Sequence, residues 1–462
     1  MISWIENFFL LYFITLNSVY GLLILLSIMD IIQRRASRMP ERDTAMLADT
    51  SAPPITIIAP AFNEQATIVG CARSFLQLEY TNLQVIIVND GSKDGTLERL
   101  KERFELRPVD IVVRQEIPTA QIRAVYQSLQ EPRLVVVDKE NGGKADALNA
   151  GLNLSRTPLV CCADADTVID RRALLRMVEP FIQDEENVIA AGGTVRLANG
   201  CSIKDGIVQS VGLPKSLLAR LQVIEYLRAF LFGRMGLNRL GGNLIISGAF
   251  GLFQRDAVVA AGGYLTETVG EDMELVVRIH QRMREKKIKY KVIFIPDPVC
   301  YTEAPESYGV LKRQRDRWQR GLADAMLMHI RMLFNPAYGK TGMIVFPFFF
   351  LFELLGPMIE LSGYGWFFYT LAIGEIDSVF AVMFFIVAFL WGFLLSAQSV
   401  LLDGLLVDFF SGFRLKMGLL WAALLENFGY RQMTLYFRLI GLIRFVAGVK
   451  SWGDMKRKGF SQ

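Results

Sequence analysis

The residues in this chain best suited to chemistry are carboxylates gathered in three short stretches, and a fourth stretch is rich in cations. "VNDGSKDG" (residues 88–95) ends an apolar run on Asp90, an ionised acceptor able to take a hydrogen bond from a nucleobase imide N–H. The same Asn-Asp-Gly is also ordinary turn sequence. "CADADT" (162–167) sets Asp164 and Asp166 two residues apart at the end of another apolar run. In a strand such a pair shares one face, where two carboxylates can hold a divalent cation whose other sites are filled by phosphate and water. Alternatively these aspartates begin the helix that "RRALLRMVEP" predicts. "VGEDMELVVRIH" (269–280) gathers Glu271, Asp272 and Glu274 at a helix start. Negative charge there complements the helix dipole, and a carboxylate there can also act as a general base toward an attacking hydroxyl.

The fourth stretch is "LKRQRDRWQRG" (311–321), where Lys312, Arg313, Arg315, Arg317 and Arg320, with Arg331 a little further on, crowd Trp318. Gln314, Arg317 and Trp318 lie within about one helical turn and can converge. Arginine's planar fork suits phosphate oxygens, and an indole offers a face to a sugar ring or a cation. Arg and Trp also anchor helices at membrane interfaces, a reading that leaves Gln314 without a purpose.

Other chemistries fit less well. The chain has only two histidines, His280 and His329, which counts against a zinc centre or a Ser–His–Asp enzyme, so a metal here would need oxygen ligands. Cys71, Cys161, Cys162, Cys201 and Cys300 form no CxxC pair and read as reduced thiols. "APAFNE" (59–64) lacks the glycines of a dinucleotide turn, and "KENGGKA" (139–145) lacks the upstream glycine and Ser/Thr of a Walker loop. A net charge of +4 over 462 residues, with no recognition motif, points away from nucleic acid.

The elements that must position these residues follow from hydropathy. "PITIIAPAF", "LQVIIVND", "DIVVRQE", "RLVVVDKE" and "LVCCADAD" are near-continuous apolar runs that predict buried parallel strands. "GTLERLKERF" and "KADALNAGLNL" between them have helical spacing, which predicts an α/β domain with βαβ crossovers over 54–340. Residues 1–33 contain an apolar run long enough to span a bilayer. It is followed at once by Arg34, Arg35, Arg38 and Arg42, so a retained anchor with its N-terminus outside is expected. Residues 34–53 read as a polar linker. Residues 341–402 hold further spans, one of them interrupted at Pro357. Within 403–462, the stretch 417–449 carries Arg431, Arg438 and Arg444 at roughly two-turn intervals and predicts an interfacial helix, followed by a basic tail. "LLARLQVIEYLRAFLFGR" predicts a helix docking the α/β domain onto the spans. Glu353 and Glu360 share a face of an apolar helix. Either they line a wet path or they pair with those arginines, and the pairing is the reading adopted.

Taken in order, these stretches resemble the D, D, D, QxxRW signature of membrane-bound family 2 glycosyltransferases, a group that includes cellulose, hyaluronan, chitin-oligosaccharide and poly-N-acetylglucosamine synthases. The likeness runs through "PAFNE", "NDGS", "GGKADALN", "DAD", "SGAFG", "GED" and "QRDRW", with apolar spans on either side. Asn89 stands where many relatives carry a first aspartate, and "GED" replaces their more familiar versions.

The resemblance implies a cytosolic GT-A-type nucleotide-sugar transferase domain inserted between an N-terminal transmembrane helix and C-terminal transmembrane and interfacial helices. It implies that Asn63, Glu64, Asp90, Lys144 and Asp164 hold the nucleotide sugar, and that Asp166 with Asp164 holds Mg²⁺ or Mn²⁺. Asp272, beside Glu271, is then the catalytic base, and Gln314, Arg317 and Trp318 meet the diphosphate and acceptor. The partners implied are a UDP-sugar donor, a polysaccharide or lipid acceptor and membrane lipid. The expected product is a β-linked polymer, or in the competing reading a short glycolipid.

Overall fold

The computed structural model describes residues 2–37, 52–165, 167–204, 207–406 and 408–449. Asp166, most of the 34–53 linker and the basic tail from Lys450 lie outside the described residues.

A ten-stranded mixed sheet runs through the α/β part in the order β3 (Leu106–Pro108), β4 (Ile122–Ser128), β5 (Leu134–Lys139), β2 (Leu83–Asp90), β1 (Ile55–Ala61), β6 (Leu159–Ala163), β11 (Phe250–Gln254), β8 (Val188–Leu197), β12 (Lys291–Thr302), β7 (Val168–Ile169). β9 (Ser202–Lys204) and β10 (Ile207–Ser210) form a separate ribbon. The centre of the large sheet is parallel, with β1 flanked by β2 and β6, and β5 beyond β2. These strands are buried on both faces, which explains their unbroken Ile/Val/Leu runs. β11 inserts antiparallel between β6 and β8, and β12 pairs parallel with β8 and antiparallel with β7. Toward the far edge β4 is antiparallel to β5 and to β3.

Two expectations fail here. The sheet is mixed, not parallel throughout. "DIVVRQE" (110–116) is no strand: Val112 is 88% exposed, and the segment lies between Pro108 and Pro118. The strand beside β5 is instead "IRAVYQS", with the short β3 outside it at the edge.

Helix α1 (Ile2–Ser37) precedes the sheet. Within the domain, α2 (Lys144–Leu154) packs on β1 and β2, α3 (Glu271–Glu285) leads into β12, and α4 (Tyr308–Met328) leaves the domain. The helices Leu217–Glu225 and Arg234–Arg239 are joined by a π-helical stretch, Tyr226–Gly233, which meets α1. Among the described residues two helices are long and apolar enough to cross a membrane, Trp4–Gln33 within α1 and Ser378–Leu405. The pair Thr341–Leu354 and α5 (Gly356–Ile373) passes the same test together, bent by 46°. The break falls just before Pro357, which sits in the first turn of α5 where its missing N–H costs nothing.

The single helix expected over 417–449 is two. Non-helical backbone at Phe428 and Gly429 separates Phe413–Leu425 from α6 (Arg431–Val446), and α6 packs along α4. Gly441 permits this approach: a Cβ there would lie 2.7 Å from the Asp316 carbonyl oxygen.

Candidate active site

The carboxyl ends of β1, β2 and β5 align, since Ala61 pairs with Asn89 and Asp90 with Lys139. Ligands of open α/β sheets bind at that edge. Asn63, in the left-handed region at φ 55°, closes it: Ser92 Oγ accepts from its backbone N–H at 3.0 Å, and its Oδ1 accepts from Lys93 N at 2.8 Å. Glu64 accepts a 2.5 Å bond from Thr67 Oγ1.

Asp90 is buried and fully engaged. Its Oδ1 meets Lys139 Nζ at 2.6 Å and Gly142 N at 3.0 Å, and its Oδ2 meets Gly143 N at 2.8 Å and Asn141 Nδ2 at 3.1 Å. Asp90 thereby shapes the turn that launches α2 and Lys144. Lys139 was not singled out from sequence. It is wholly buried between Asp90 and Asp146, the latter at 2.5 Å. The available signal was a lysine ending an otherwise apolar strand, with an acid in the first turn of the next helix.

Lys144 Nζ contacts Asp164 Oδ1 at 2.6 Å and Glu271 Oε1 at 3.4 Å. Burial works against its charge, yet these carboxylates prevail and hold Lys144 above the ordinary lysine value. Burial pushes the Glu271 carboxyl above the usual range; Lys144 pulls it down and Asp272 pushes it further up. Asp272 is oriented through both oxygens, Oδ2 accepting from Gly248 N at 3.0 Å and Oδ1 from Met273 N at 2.8 Å. Gly248 leaves room here: a Cβ would sit 3.2 Å from Lys144 Nζ and 3.3 Å from Asp272 Oδ2, so one of those side chains would have to give way slightly.

The start of α3 is also fixed from behind. A Cβ on Gly270 would lie 2.6 Å from Gly321 Cα, so "GED" rests directly on the backbone of α4. Glu274, fully buried, accepts from Arg278 at 2.8 Å and lies 3.0 Å from His329 Nε2, tying α3 to the end of α4.

The cations around Trp318 do not act together. Arg315 is buried, 2.7 Å from Glu225, with its guanidinium 4.4 Å from the Trp318 ring centre. Arg320 is buried against Asp316 at 2.9 Å, and Arg444 shares that carboxylate. Lys312, Arg313 and Arg331 are exposed. Arg317 is the one that joins the acidic group: burial draws it below the ordinary arginine value against the pull of Glu271, Asp164 and Asp272.

Asp164, Lys144, Glu271, Asp272, Gln314, Arg317 and Trp318 open onto one cavity of about 370 Å³. Gln314 Oε1 is buried there without a hydrogen-bond partner among the described residues. Asn63, Glu64 and Asp90 stand at the sheet edge, outside the cavity lining. From the carboxylates the cavity continues between helices, where Tyr20, Glu225, Arg228, Glu353, Glu360 and Glu426 reach its wall. The expected pairing holds: Arg438 meets Glu353 and Arg431 meets Glu360, each at 2.9 Å. Arg228 meets Glu426, also at 2.9 Å. Tyr20 of α1 donates to Glu353 at 2.5 Å.

Among the described residues no three His, Cys, Asp or Glu side chains stand close enough to hold a metal by themselves. Asp164 on the cavity wall is the donor type that Mg²⁺ and Mn²⁺ take together with phosphate oxygens and water.

Comparison with known proteins gives the same picture. Residues 56–258 match Glycosyl transferase family 2, and residues 159–395 match Glycosyl transferase family group 2. The chain is 32% identical over 276 residues to the poly-beta-1,6-N-acetyl-D-glucosamine synthase of Staphylococcus aureus (strain COL), covering 59% of this chain and 55% of that protein. The Staphylococcus epidermidis counterpart is 30% identical over 276 residues, with the same coverage. The chain thus spans about half the length of the curated relatives it matches. A solved mannosyltransferase from Pyrobaculum calidifontis, in complex with GDP-Man and Mn²⁺, superposes with a TM-score of 0.50 at 16% identity. That match covers 95% of this chain and 99% of the other, and it shows a shared fold.

Proposed function

The chain belongs to glycosyl transferase family group 2, and from that premise we propose that it transfers sugar from a UDP-sugar to a growing β-linked polysaccharide at the cytosolic face of a membrane. The observation that carries this reading is one cavity whose lining joins Asp272, Arg317 and Trp318 to paired charges on the helices. A glycolipid enzyme needs a lipid-accessible acceptor site. A polymer needs a polar path through apolar helices, with protein groups replacing its water contacts. Arg34, Arg35, Arg38 and Arg42, which follow the Trp4–Gln33 span, support a cytosolic catalytic domain by the positive-inside rule, with the product leaving between the helices.

In this mechanism the nucleotide lies along the sheet edge formed by Asn63, Glu64 and the turn that Asp90 holds. Lys144 faces its phosphates. Asp272, held by two backbone N–H groups, removes the proton from the acceptor hydroxyl. The hydroxyl oxygen attacks the anomeric carbon while the bond to the diphosphate breaks on the opposite side and its electron pair leaves with UDP. An α-linked donor therefore yields a β-linked product. Negative charge grows on the leaving group, where Arg317 and Lys144 oppose it. Asp164 and Asp166 are the residues that would hold Mg²⁺ or Mn²⁺, and such a cation would supply further charge neutralisation at the diphosphate. Trp318 floors the acceptor sugar, with Gln314 accepting from a hydroxyl.

The test is UDP release by the purified protein in nanodiscs with Mg²⁺ or Mn²⁺, across a panel of UDP-sugars headed by UDP-N-acetylglucosamine, the donor type to which the staphylococcal relatives point. The expected result is one active donor and a labelled product of high molecular weight. A short product extracted into organic solvent would replace polymer synthesis with glycolipid synthesis. Turnover with no donor would remove the activity.

A further inference from the structure

Most cations on the cavity wall have carboxylate neighbours. Lys144 has Asp164 and Glu271, and Arg228, Arg315, Arg431 and Arg438 each have a glutamate. Arg317 lies among the catalytic carboxylates. Arg234 differs. Its side chain reaches the same wall, yet no hydrogen bond or ion pair joins its guanidinium to another described residue. Aromatic rings hold it instead, Phe230 at 4.8 Å and Phe294 at 5.6 Å from ring centre to guanidinium. Burial draws it down to about 10, while the charges of Asp272 and Tyr226 oppose the fall. A guanidinium that packs against aromatic rings without a carboxylate partner keeps its N–H donors available to a ligand in the cavity it lines. Arg234 is half-buried, and its N–H donors are open to the cavity, where they can meet an acceptor.

Its neighbours indicate which substrate fills them. Phe230 makes an edge-to-face contact with Trp318 at 5.8 Å and with Tyr226 at 4.5 Å. Tyr226 and Phe230 lie on the π-helical stretch that Arg234 follows, a distortion common where a helix serves a site. The aromatic wall and Asp272 belong to the acceptor side, whereas Lys144 and Asp164 belong to the diphosphate side. Given the transferase reading above, on which this inference rests, we propose that Arg234 contacts the acceptor sugar. Its N–H groups donate to a carbonyl or hydroxyl oxygen next to the attacking hydroxyl, fixing the ring over Trp318 and Phe230 so that this hydroxyl meets Asp272.

The test uses full-length protein in nanodiscs, the UDP-sugar active in the panel and a short β-linked oligomer of the same sugar as soluble acceptor. Arg234→Gln is expected to raise the acceptor KM at least about tenfold, the loss of one charge-assisted hydrogen bond. Donor KM and the slow hydrolysis of donor without acceptor should stay at wild-type values, and Arg234→Lys should recover part of the acceptor affinity. A rise in donor KM with acceptor KM unchanged would overturn the proposal and assign Arg234 to the diphosphate. Unchanged values for both would remove it from the site. Oligomer binding to the resting protein, followed by tryptophan fluorescence, separates the two readings. A wild type that transfers nothing but binds oligomer more tightly than Arg234→Gln would overturn the transferase reading and keep the contact. A wild type that does neither would overturn both.

Discussion

At the sheet end of the cavity Asp164, Glu271 and Asp272 crowd around Lys144 and Arg317. At the helical end Glu225, Glu353, Glu360 and Glu426 each have an arginine of their own. The two ends also use backbone differently. Glycines at 248, 270 and 321 bring main chain against main chain or side chain where the carboxylates crowd, while the helical end is built from long side chains that reach across. The difference separates two uses of buried charge. Matched pairs make a polar wall that attracts no ion strongly. Crowded, unequal charges leave groups poised to take up a proton or face an anion.

The largest expected effect tests the crowded end. Asp272→Asn should lower transfer by about 10²–10⁴-fold, the usual contribution of a general base, with the melting curve little changed. UDP release measures it, and an undiminished rate would remove Asp272 as the base. At the matched end, Arg431→Met should destabilise by about 3–5 kcal/mol, because it strands Glu360. Adding Glu360→Gln should restore most of that loss in unfolding measurements. Stability lost equally in the double variant would mean that the pair is not the source.

Smaller again is Gly321→Ala, whose Cβ would sit 2.8 Å from Gly270 Cα and must push "GED" away. A shift near 1 Å at the base costs up to about 10²-fold, so kcat should fall well before stability does. Equal losses in both would argue that this contact supports folding alone. The smallest effect is a pH dependence. Because the Glu271 carboxyl is raised in the folded state, the folded protein holds that proton more tightly than the unfolded chain. Wild-type stability therefore falls as pH rises from the ordinary glutamate range, about 4.3, through the raised value. Glu271→Gln cannot titrate, so its melting point should gain on the wild type across that window and then level off. A constant difference over the same range would contradict the assignment.

Much of this contrast was legible in sequence because it rests on period and spacing. The central strands read as apolar runs since both faces are covered, and Arg431 and Arg438 matched Glu360 and Glu353 because helical spacing puts each set on one side. What depended on tertiary context was not legible. Residues 110–116 have strand-like composition, but the place beside β5 was taken by a segment downstream, Ile122–Ser128. The cluster around Trp318 looked like one anion site because adjacent residues on a helix face different neighbours, and nothing local says which. Lys139 ends its strand with no local sign that Asp90 and Asp146 would bury it. Asp90 gave no sign that backbone N–H groups would occupy both its oxygens. Tyr20, in an apolar helix far from every motif, could not be assigned to the cavity at all.

Tyr20 also bears on how the protein is made. Its hydroxyl meets Glu353 across 333 residues of chain, and Asn17 on the same helix donates to the Val387 carbonyl across 370. At ordinary synthesis rates of about 5–20 residues per second, α1 waits on the order of tens of seconds for these partners to emerge. During that interval the Tyr20 hydroxyl and one of the Asn17 side-chain N–H groups lack the acceptors they later take, while Asn17 already donates to the Phe13 carbonyl of its own helix. The cavity wall is thus closed last, by the pieces farthest apart in order of translation. Nascent chains stalled before Glu353 should hold an inserted helix and a folded sheet with the cavity still open on one side.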